Sequence, residues 1–234
     1  MASRKGQIVD GILLLDKQEG FSSNQTLQRA KRILNARKAG HTGTLDPFAT
    51  GLLVCCLGKA TKLAESILAS DKAYEATLRL GIETDSGDLT GEVTAHGDYS
   101  NISKEKFLSV LPQFSGLIEQ VPPMHSALKK DGRPLYEYAR QGIEIKREPR
   151  QVNIHKLELM DFTSETVKIF VLCSKGTYVR TLAQDIGRAL GCGAHLIALR
   201  RTEVGPYSVK DAVSTDTLKE SPSPLDYVLP VEGL

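Results

Sequence analysis

At 234 residues the chain can bury one sizeable core, with or without a small appendage. Lys and Arg number 30 against 28 Asp and Glu, so a net charge of +2 permits an anionic partner without announcing one, and any nucleic-acid surface has to come from charge placed locally. The four cysteines (Cys55, Cys56, Cys173, Cys192) make no CxxC pair, the five histidines are scattered, and neither a leader peptide nor an apolar run of membrane-spanning length appears; buried free thiols, a cytoplasmic location, no metal cluster and no membrane contact are expected.

Residues 8–15 read as a buried strand closed by a turn over 16–20. A helix starts after Ser22, whose hydroxyl caps it while Gln25 reaches back as in a capping box, and Leu27, Ala30, Ile33 and Leu34 form its apolar stripe. Arg29, Lys31, Arg32, Arg37 and Lys38 are left for other faces, either as a solvated surface or as a phosphate-facing edge.

The stretch 40–51, Gly-His-Thr-Gly-Thr-Leu-Asp-Pro-Phe-Ala-Thr-Gly, holds the densest special chemistry. Three glycines permit backbone torsions closed to other residues and a close approach of ligand to main chain. Asp46 precedes a proline that biases it toward an extended conformation, so one carboxylate stands at the tip of a small-residue loop beside His41, Thr42 and Thr44. Asp46-Pro47 also suits a helix start, Asp as N-cap and Pro at the first position, and the spacing excludes a P-loop.

Beyond the loop, 52–57 reads as a buried strand and 59–68 as a helix. The strand at 72–80 sets Tyr74, Ala76, Leu78 and Leu80 on one face and Glu75, Thr77 and Arg79 on the other, so Tyr74 is either core or a functional hydroxyl on an apolar face. The acidic run 81–91 lacks calcium-loop spacing and reads as a structural turn. A Ser-capped helix at 103–111, an extended segment at 121–127, a basic stretch with Lys129, Lys130 and Arg133, and a helix at 135–141 opened by Pro134 and closed by Gly142 follow. Strands at 151–161 and 165–173 lead to a helix with the stripe Val179, Leu182, Ala183, Ile186, Leu190, ended by Gly191. Arg180 in its first turn opposes the helix dipole by roughly 0.3 to 1 kcal/mol, which suits a carboxylate or phosphate lying opposite, or simply a surface arginine. A last strand at 195–204 carries Arg200-Arg201, which with the other local cations are expected to contact phosphate, and a short helix at 210–219 precedes a Pro/Ser-rich tail. Strands outnumber helices and several are joined by short turns, which predicts an α+β fold with a mixed, largely antiparallel sheet flanked by helices and loops.

Five motifs, Asp-Lys-x-x-Gly-Phe-Ser-Ser at 16–23, Gly-His-Thr-Gly-Thr-Leu-Asp-Pro-x-Ala-Thr-Gly-x-Leu at 40–53, Lys-x-Tyr at 72–74, Ser-Lys-Gly-Thr-Tyr-Val-Arg-Thr-Leu at 174–182 and Gly-Ala-His-Leu-x-x-Leu-Arg-Arg at 193–201, occur in one order that resembles the TruB family of bacterial tRNA pseudouridine synthases. The resemblance runs from about residue 8 to 210, which would be the catalytic domain, with 211–234 as a C-terminal extension where relatives usually continue into an RNA-binding PUA domain, here expected to be absent. Gln18 stands where the family usually has proline. The resemblance implies the pseudouridine synthase catalytic fold and isomerisation of a T-loop uridine, position 55, to pseudouridine. Asp46 would be the essential carboxylate, attacking C1′ or removing the 2′ proton, Arg180 would pair with it, and Tyr74 would stack on the base and serve the C5 proton. His41, Tyr178 and Leu199 would line the place of an extruded nucleotide. No atoms are gained or lost, so no cofactor or metal is called for; the partner is the T-arm of tRNA, no protein partner is implied, and the enzyme is expected to be a monomer. Two rivals remain: a tRNA-binding or tRNA-folding module without turnover, which needs the basic edges but not Asp46, and a nucleoside or glycoside hydrolase using Asp46, which releases free base.

Overall fold

The computed structural model describes residues 6–231, and the chain divides into two units, one built from residues up to Tyr74 and from Leu199 onward, the other from Glu75–Ala198. In chain order the strands and helices are β1 (Gly11–Lys17), α1 (Ser23–Ile33), β2 (Ala39–His41), β3 (Thr50–Leu57), α2 (Ala64–Ala69), β4 (Lys72–Leu80), β5 (Ile82–Thr84), β6 (Val93–His96), α3 (Lys104–Val110), β7 (Gly116–Gln120), β8 (Lys129–Lys130), β9 (Arg133–Pro134), α4 (Leu135–Ala139), β10 (Arg150–Phe162), β11 (Thr166–Cys173), α5 (Val179–Leu190), β12 (Ala194–Val204), β13 (Tyr207–Ser208), α6 (Thr215–Glu220) and β14 (Val228–Leu229). The fold is α+β, with mixed and largely antiparallel pairing.

In the first unit β1 pairs antiparallel with β3 over its whole length, in the register Leu13↔Cys55 and Leu15↔Leu53. β14 lies antiparallel on the other side of β1, β2 pairs antiparallel with β3, and the end of β12 runs parallel to β3. Both faces of the β1–β3 pair are covered. Leu13, Leu15, Leu53, Cys55 and Leu57 pack with Leu27, Ala30 and Leu34 around α1 and with Leu218 of α6, while Ile12, Leu14, Leu52, Val54 and Cys56 pack with Ala60 and Ile67. Two covered faces explain why these strands read as continuous apolar runs rather than as alternating ones.

The capping box on α1 is present as expected: the Gln25 N–H donates to the Ser22 hydroxyl and the Ser22 N–H to the Gln25 side chain. Strand β1, however, starts three residues later than 8–15, where Gly11 pairs with Leu57, and ends two residues later, because Asp16 and Lys17 continue the ladder opposite Leu52 and Gly51. The helix expected over 59–68 is a 3-10 segment, Gly58–Leu63, followed by α2, and the one expected at 210–219 is a 3-10 turn followed by α6, whose start is set by Ser214 accepting the Thr217 N–H.

In the second unit the strand order is β12, β4, β11, β10, β7. β11 alternates strictly, burying Val167, Ile169, Val171 and Cys173, and α5 buries the stripe expected of it before Gly191 turns the chain in the left-handed region at φ 81°. α3, capped by Ser103, packs on α5, and Phe107 meets Phe162 with ring centroids 6.1 Å apart. Pro134 is the N-cap of α4, in an extended conformation, rather than its first helical residue. The cysteines are buried and unlinked.

Candidate active site

Residues 42–49 connect β2 to β3, and their main chain is tied down at several points. Thr42 donates its N–H to the Val54 carbonyl at 2.9 Å. The buried Ser23 hydroxyl both receives the Leu45 N–H, at 2.8 Å, and donates to the Leu45 carbonyl, at 3.1 Å. The Ala49 N–H donates to the Asp46 carbonyl at 3.1 Å, so Asp46-Pro47-Phe48-Ala49 is a turn and Pro47 opens no helix. The Pro47 carbonyl in turn receives the Gly20 N–H at 2.8 Å. Asp46 is half-buried at the head of this turn.

Two buried cations complete the frame, and neither is legible as such from composition. Lys17 is fully buried and spends its three donors on the carbonyls of Gln18 (3.0 Å), Phe21 (2.7 Å) and Pro47 (3.1 Å). Arg201, 1% exposed, donates from Nε to the Leu52 carbonyl at 2.8 Å and from Nη2 to the Gly43 carbonyl at 3.1 Å, clasping the loop on both sides of Asp46. Its main chain lies against Gly51, where φ is 100° and a Cβ would stand 2.2 Å from the Arg201 carbonyl oxygen; glycine is the one residue that fits. The expectation that Arg201 offers its charge to phosphate is thus corrected: it falls on the same strand face as buried Leu199 and serves the loop. Arg200 pairs with Asp16 at 2.7 Å and Arg29 with Asp216. The exposed cations that remain in the first unit's basic stretch are Arg32, Arg37 and Lys38.

Burial pushes the Lys17 ammonium down to about 8, against the opposing pull of the Asp46 and Glu19 charges and with a further push from Arg201. His41 is likewise lowered, chiefly by burial and then by Arg201, which favours the neutral imidazole; its buried Nδ1 has no hydrogen-bond partner. Because the folded Lys17 value lies below the ordinary 10.5, the unfolded chain binds more protons between about pH 8 and 10.5, and this group's contribution to stability rises through that window. Its neutral amine, however, has two donors for three carbonyls. Turnover is therefore expected to fall above about pH 8 while the melting temperature, measured against Lys17→Met at each pH, gains on the variant. A melting difference that shrinks across the same window refutes the assignment.

In the second unit Arg180 stands in the first turn of α5, and its burial removes the reading of a surface arginine. Its guanidinium donates to the Ser86 carbonyl at 3.0 Å and the His125 carbonyl at 2.7 Å and lies 3.5 Å from the Asp88 carboxylate, both side chains being almost fully buried. The other Asp88 oxygen receives the Ser86 hydroxyl at 2.8 Å and the Thr90 N–H at 2.9 Å. Thr84 adds a bond from its hydroxyl to the Asp88 carbonyl, and Gln184 donates to the Thr84 carbonyl. The acidic run 81–91 is thus the mount for Arg180. The signal for Asp88 was its place in a Ser-Gly-Asp-x-Thr turn, which alone does not name an arginine partner.

Of the other expected site residues, Tyr74 is half-buried on β4, Leu199 is 8% exposed on β12, and Tyr178 is the half-buried N-cap of α5. Among the described residues no group of three or more His, Cys, Asp or Glu side chains is placed to hold a metal ion, and no helix is long and apolar enough to cross a membrane.

Comparison with known proteins bears on the family and the fold. Residues 31–179 match the TruB family pseudouridylate synthase N-terminal domain, and residues 180–234 match the tRNA pseudouridylate synthase B C-terminal domain. A protein of Bordetella avium named tRNA pseudouridine synthase B is 59% identical over 100% of this chain and 97% of its own length. One of the same name from Aromatoleum aromaticum is 56% identical over 97% of this chain and 74% of its own. Among solved structures, a chain of a Cbf5-Nop10-Gar1 complex superposes with a TM-score of 0.73 at 32% identity, covering 91% of this chain; this chain spans about half of that one, 54%. A chain of an H/ACA RNP bound to a substrate RNA containing 2′-deoxyuridine gives a TM-score of 0.72 at 25% identity over 98% of this chain and 65% of its own. The fold is that of pseudouridine synthases, which are isomerases. Within that class, the chain belongs to the TruB family.

Proposed function

We propose that this enzyme converts the uridine at position 55, in the T-loop of tRNA, to pseudouridine, acting as a cytoplasmic monomer on the T-arm. The observation that carries the reading is the match along the whole chain to relatives named tRNA pseudouridine synthase B. The catalytic domain is taken as residues 1–210, with 211–234 as an extension.

In this reading Asp46 is the essential carboxylate, acting as nucleophile at C1′ or as base at the 2′ position. The N1–C1′ bond breaks, the base turns, C5 bonds to C1′, the C5 proton leaves and N1 gains one, so nothing is consumed. A rigid turn suits that task, because bonds from Lys17, Gly20, Ser23 and Arg201 to the loop's main-chain carbonyls hold the segment that carries Asp46 in one place. Arg180 is the cation assigned to the Asp46 carboxylate, Tyr74 stacks on the flipped base and serves the C5 proton, and His41, Tyr178 and Leu199 line its pocket. A neutral His41 suits contact with an uncharged nucleobase.

Incubation with unmodified tRNA, assaying pseudouridine, free uracil and binding together, tests the reading. Pseudouridine without uracil is expected; uracil release favours a hydrolase, and binding without product a folding module. Tyr74→Phe keeps the ring and loses the hydroxyl, so tRNA affinity is expected to persist while product formation drops at least tenfold; an unchanged rate returns Tyr74 to a packing role. For the T-arm, an isolated hairpin is expected to bind and react nearly as well as whole tRNA. A preference for whole tRNA beyond about tenfold, or about 1.4 kcal/mol, would count against the T-arm as the recognised unit.

A further inference from the structure

Strand β7 leaves its residues exposed or half-exposed except for the last, Gln120, which is 2% exposed. An amide suits the one buried position of such a strand only if its oxygen and nitrogen both find partners there. They find them on a single residue. The Tyr178 N–H donates to Gln120 Oε1 at 3.0 Å, and Gln120 Nε2 donates to the Tyr178 carbonyl at 3.3 Å. Tyr178 is extended, with φ −102° and ψ 106°, so its N–H and C=O face the same side, and the Gln120 amide takes the place that the peptide of a neighbouring strand would fill. The Tyr178 carbonyl also accepts the first helical bond of α5, from the Leu182 N–H at 3.0 Å, and α5 has no side-chain cap of its own. Gln120 therefore does for the N-cap N–H, from 58 residues away along the chain, what the N3 glutamine or glutamate of a capping box does locally.

We propose that Gln120 is a positioning residue for the base pocket: it fixes the main chain of Tyr178 and, through it, the direction of the tyrosine ring and the first turn of α5, where Arg180 stands. This rests on the assignment of Tyr178 and Arg180 to the uridine pocket made above. The amide is read in both directions, as acceptor and as donor, so no single charged or apolar side chain replaces it.

Two variants test this. Gln120→Leu keeps much of the volume and leaves the Tyr178 N–H without its partner. Single-turnover pseudouridine formation is expected to fall tenfold or more while the Kd for tRNA moves less than threefold and the variant melts cooperatively. Gln120→Glu keeps the acceptor, but when ionised sets a carboxylate oxygen against the Tyr178 carbonyl; protonation, which burial favours, restores a donor. The ratio of its rate to the wild-type rate is therefore expected to rise as pH falls from about 8.5 to about 6, whereas a merely structural role leaves the ratio flat. A wild-type rate in folded Gln120→Leu, or a flat ratio for Gln120→Glu, overturns the role given to Gln120 alone; if Gln120→Leu does not fold, the Glu ratio decides. Absence of pseudouridine from the wild-type reaction sinks the functional reading, and the pocket role with it.

Discussion

Asp46→Asn is expected to lower pseudouridine formation by about a thousandfold or more, equivalent to about 4 kcal/mol of barrier, while leaving the fold and tRNA binding nearly intact. The substitution keeps size and shape and removes the charge, so nucleophilicity and basicity are lost together. The four-residue turn stays closed, because it is the main-chain carbonyl of residue 46 that receives the Ala49 N–H. The ties from Lys17 and Arg201 likewise end on the carbonyls of Pro47, Gly43 and Leu52, none of which the substitution touches. A turn-forming or capping aspartate would behave differently, since Asn serves those roles about as well as Asp and activity would persist. Rate, affinity and melting temperature measured on one preparation separate the cases. Turnover above a few per cent of the wild-type rate would show that the carboxylate is not the reacting group.

Removing the other carboxylate is expected to act first on stability. Asp88 and Arg180 face each other with both side chains almost fully buried, and Asp88→Ala leaves a guanidinium in the interior without that countercharge. Breaking a buried pair from one side costs about 3 to 5 kcal/mol, a large part of the roughly 5 to 15 kcal/mol that holds a typical domain folded. Asp88→Asn should cost less, because its side-chain oxygen can still accept from the Ser86 hydroxyl and the Thr90 N–H. Urea unfolding of Asp88→Ala, Arg180→Met and the double variant completes a cycle, in which the double variant should be less unstable than the two single losses added together. Additive losses, or an unmoved midpoint for Asp88→Ala, would mean that the pair contributes little and that Arg180 is held by the Ser86 and His125 carbonyls instead.

The two predictions differ in how far their residues could be read in advance. Asp46 was legible because several rare features coincide around it: three glycines, a following proline and three threonines within twelve residues, in a pattern that matches a family's motif. Asp88 was not. One aspartate in an acidic turn has no spacing that names a partner 92 positions away, and the ion pair exists only once α5 carries Arg180 back to it. Lys17 and Arg201 fall between these cases. Lys17 continues the alternation of Leu13 and Leu15, and Arg201 that of Leu199, so each lies on a buried face by simple period-two counting. Charge argued for the surface, and the countervailing fact, a set of main-chain carbonyls converging on each cation, is not written locally in the chain.

By itself the sequence determined what depends on neighbours a few residues apart: the capping box of α1, the Ser103 cap, the stripe of α5 and its glycine stop, the alternation of β11, and the small-residue loop that carries Asp46. Each follows from local torsions or from a single period, so a short window holds all the information required. Only the tertiary structure decided the ends of β1, the splitting of the helices expected at 59–68 and 210–219, the short strands that exist through their partners, and the polar frame behind the site. Lys17 to Pro47, Gln120 to Tyr178 and Arg201 to Gly43 are bonds between side chains and carbonyl or N–H groups that every residue possesses. A main-chain group carries no sequence signature, so a contact with it becomes visible only when the chain has brought the two ends together.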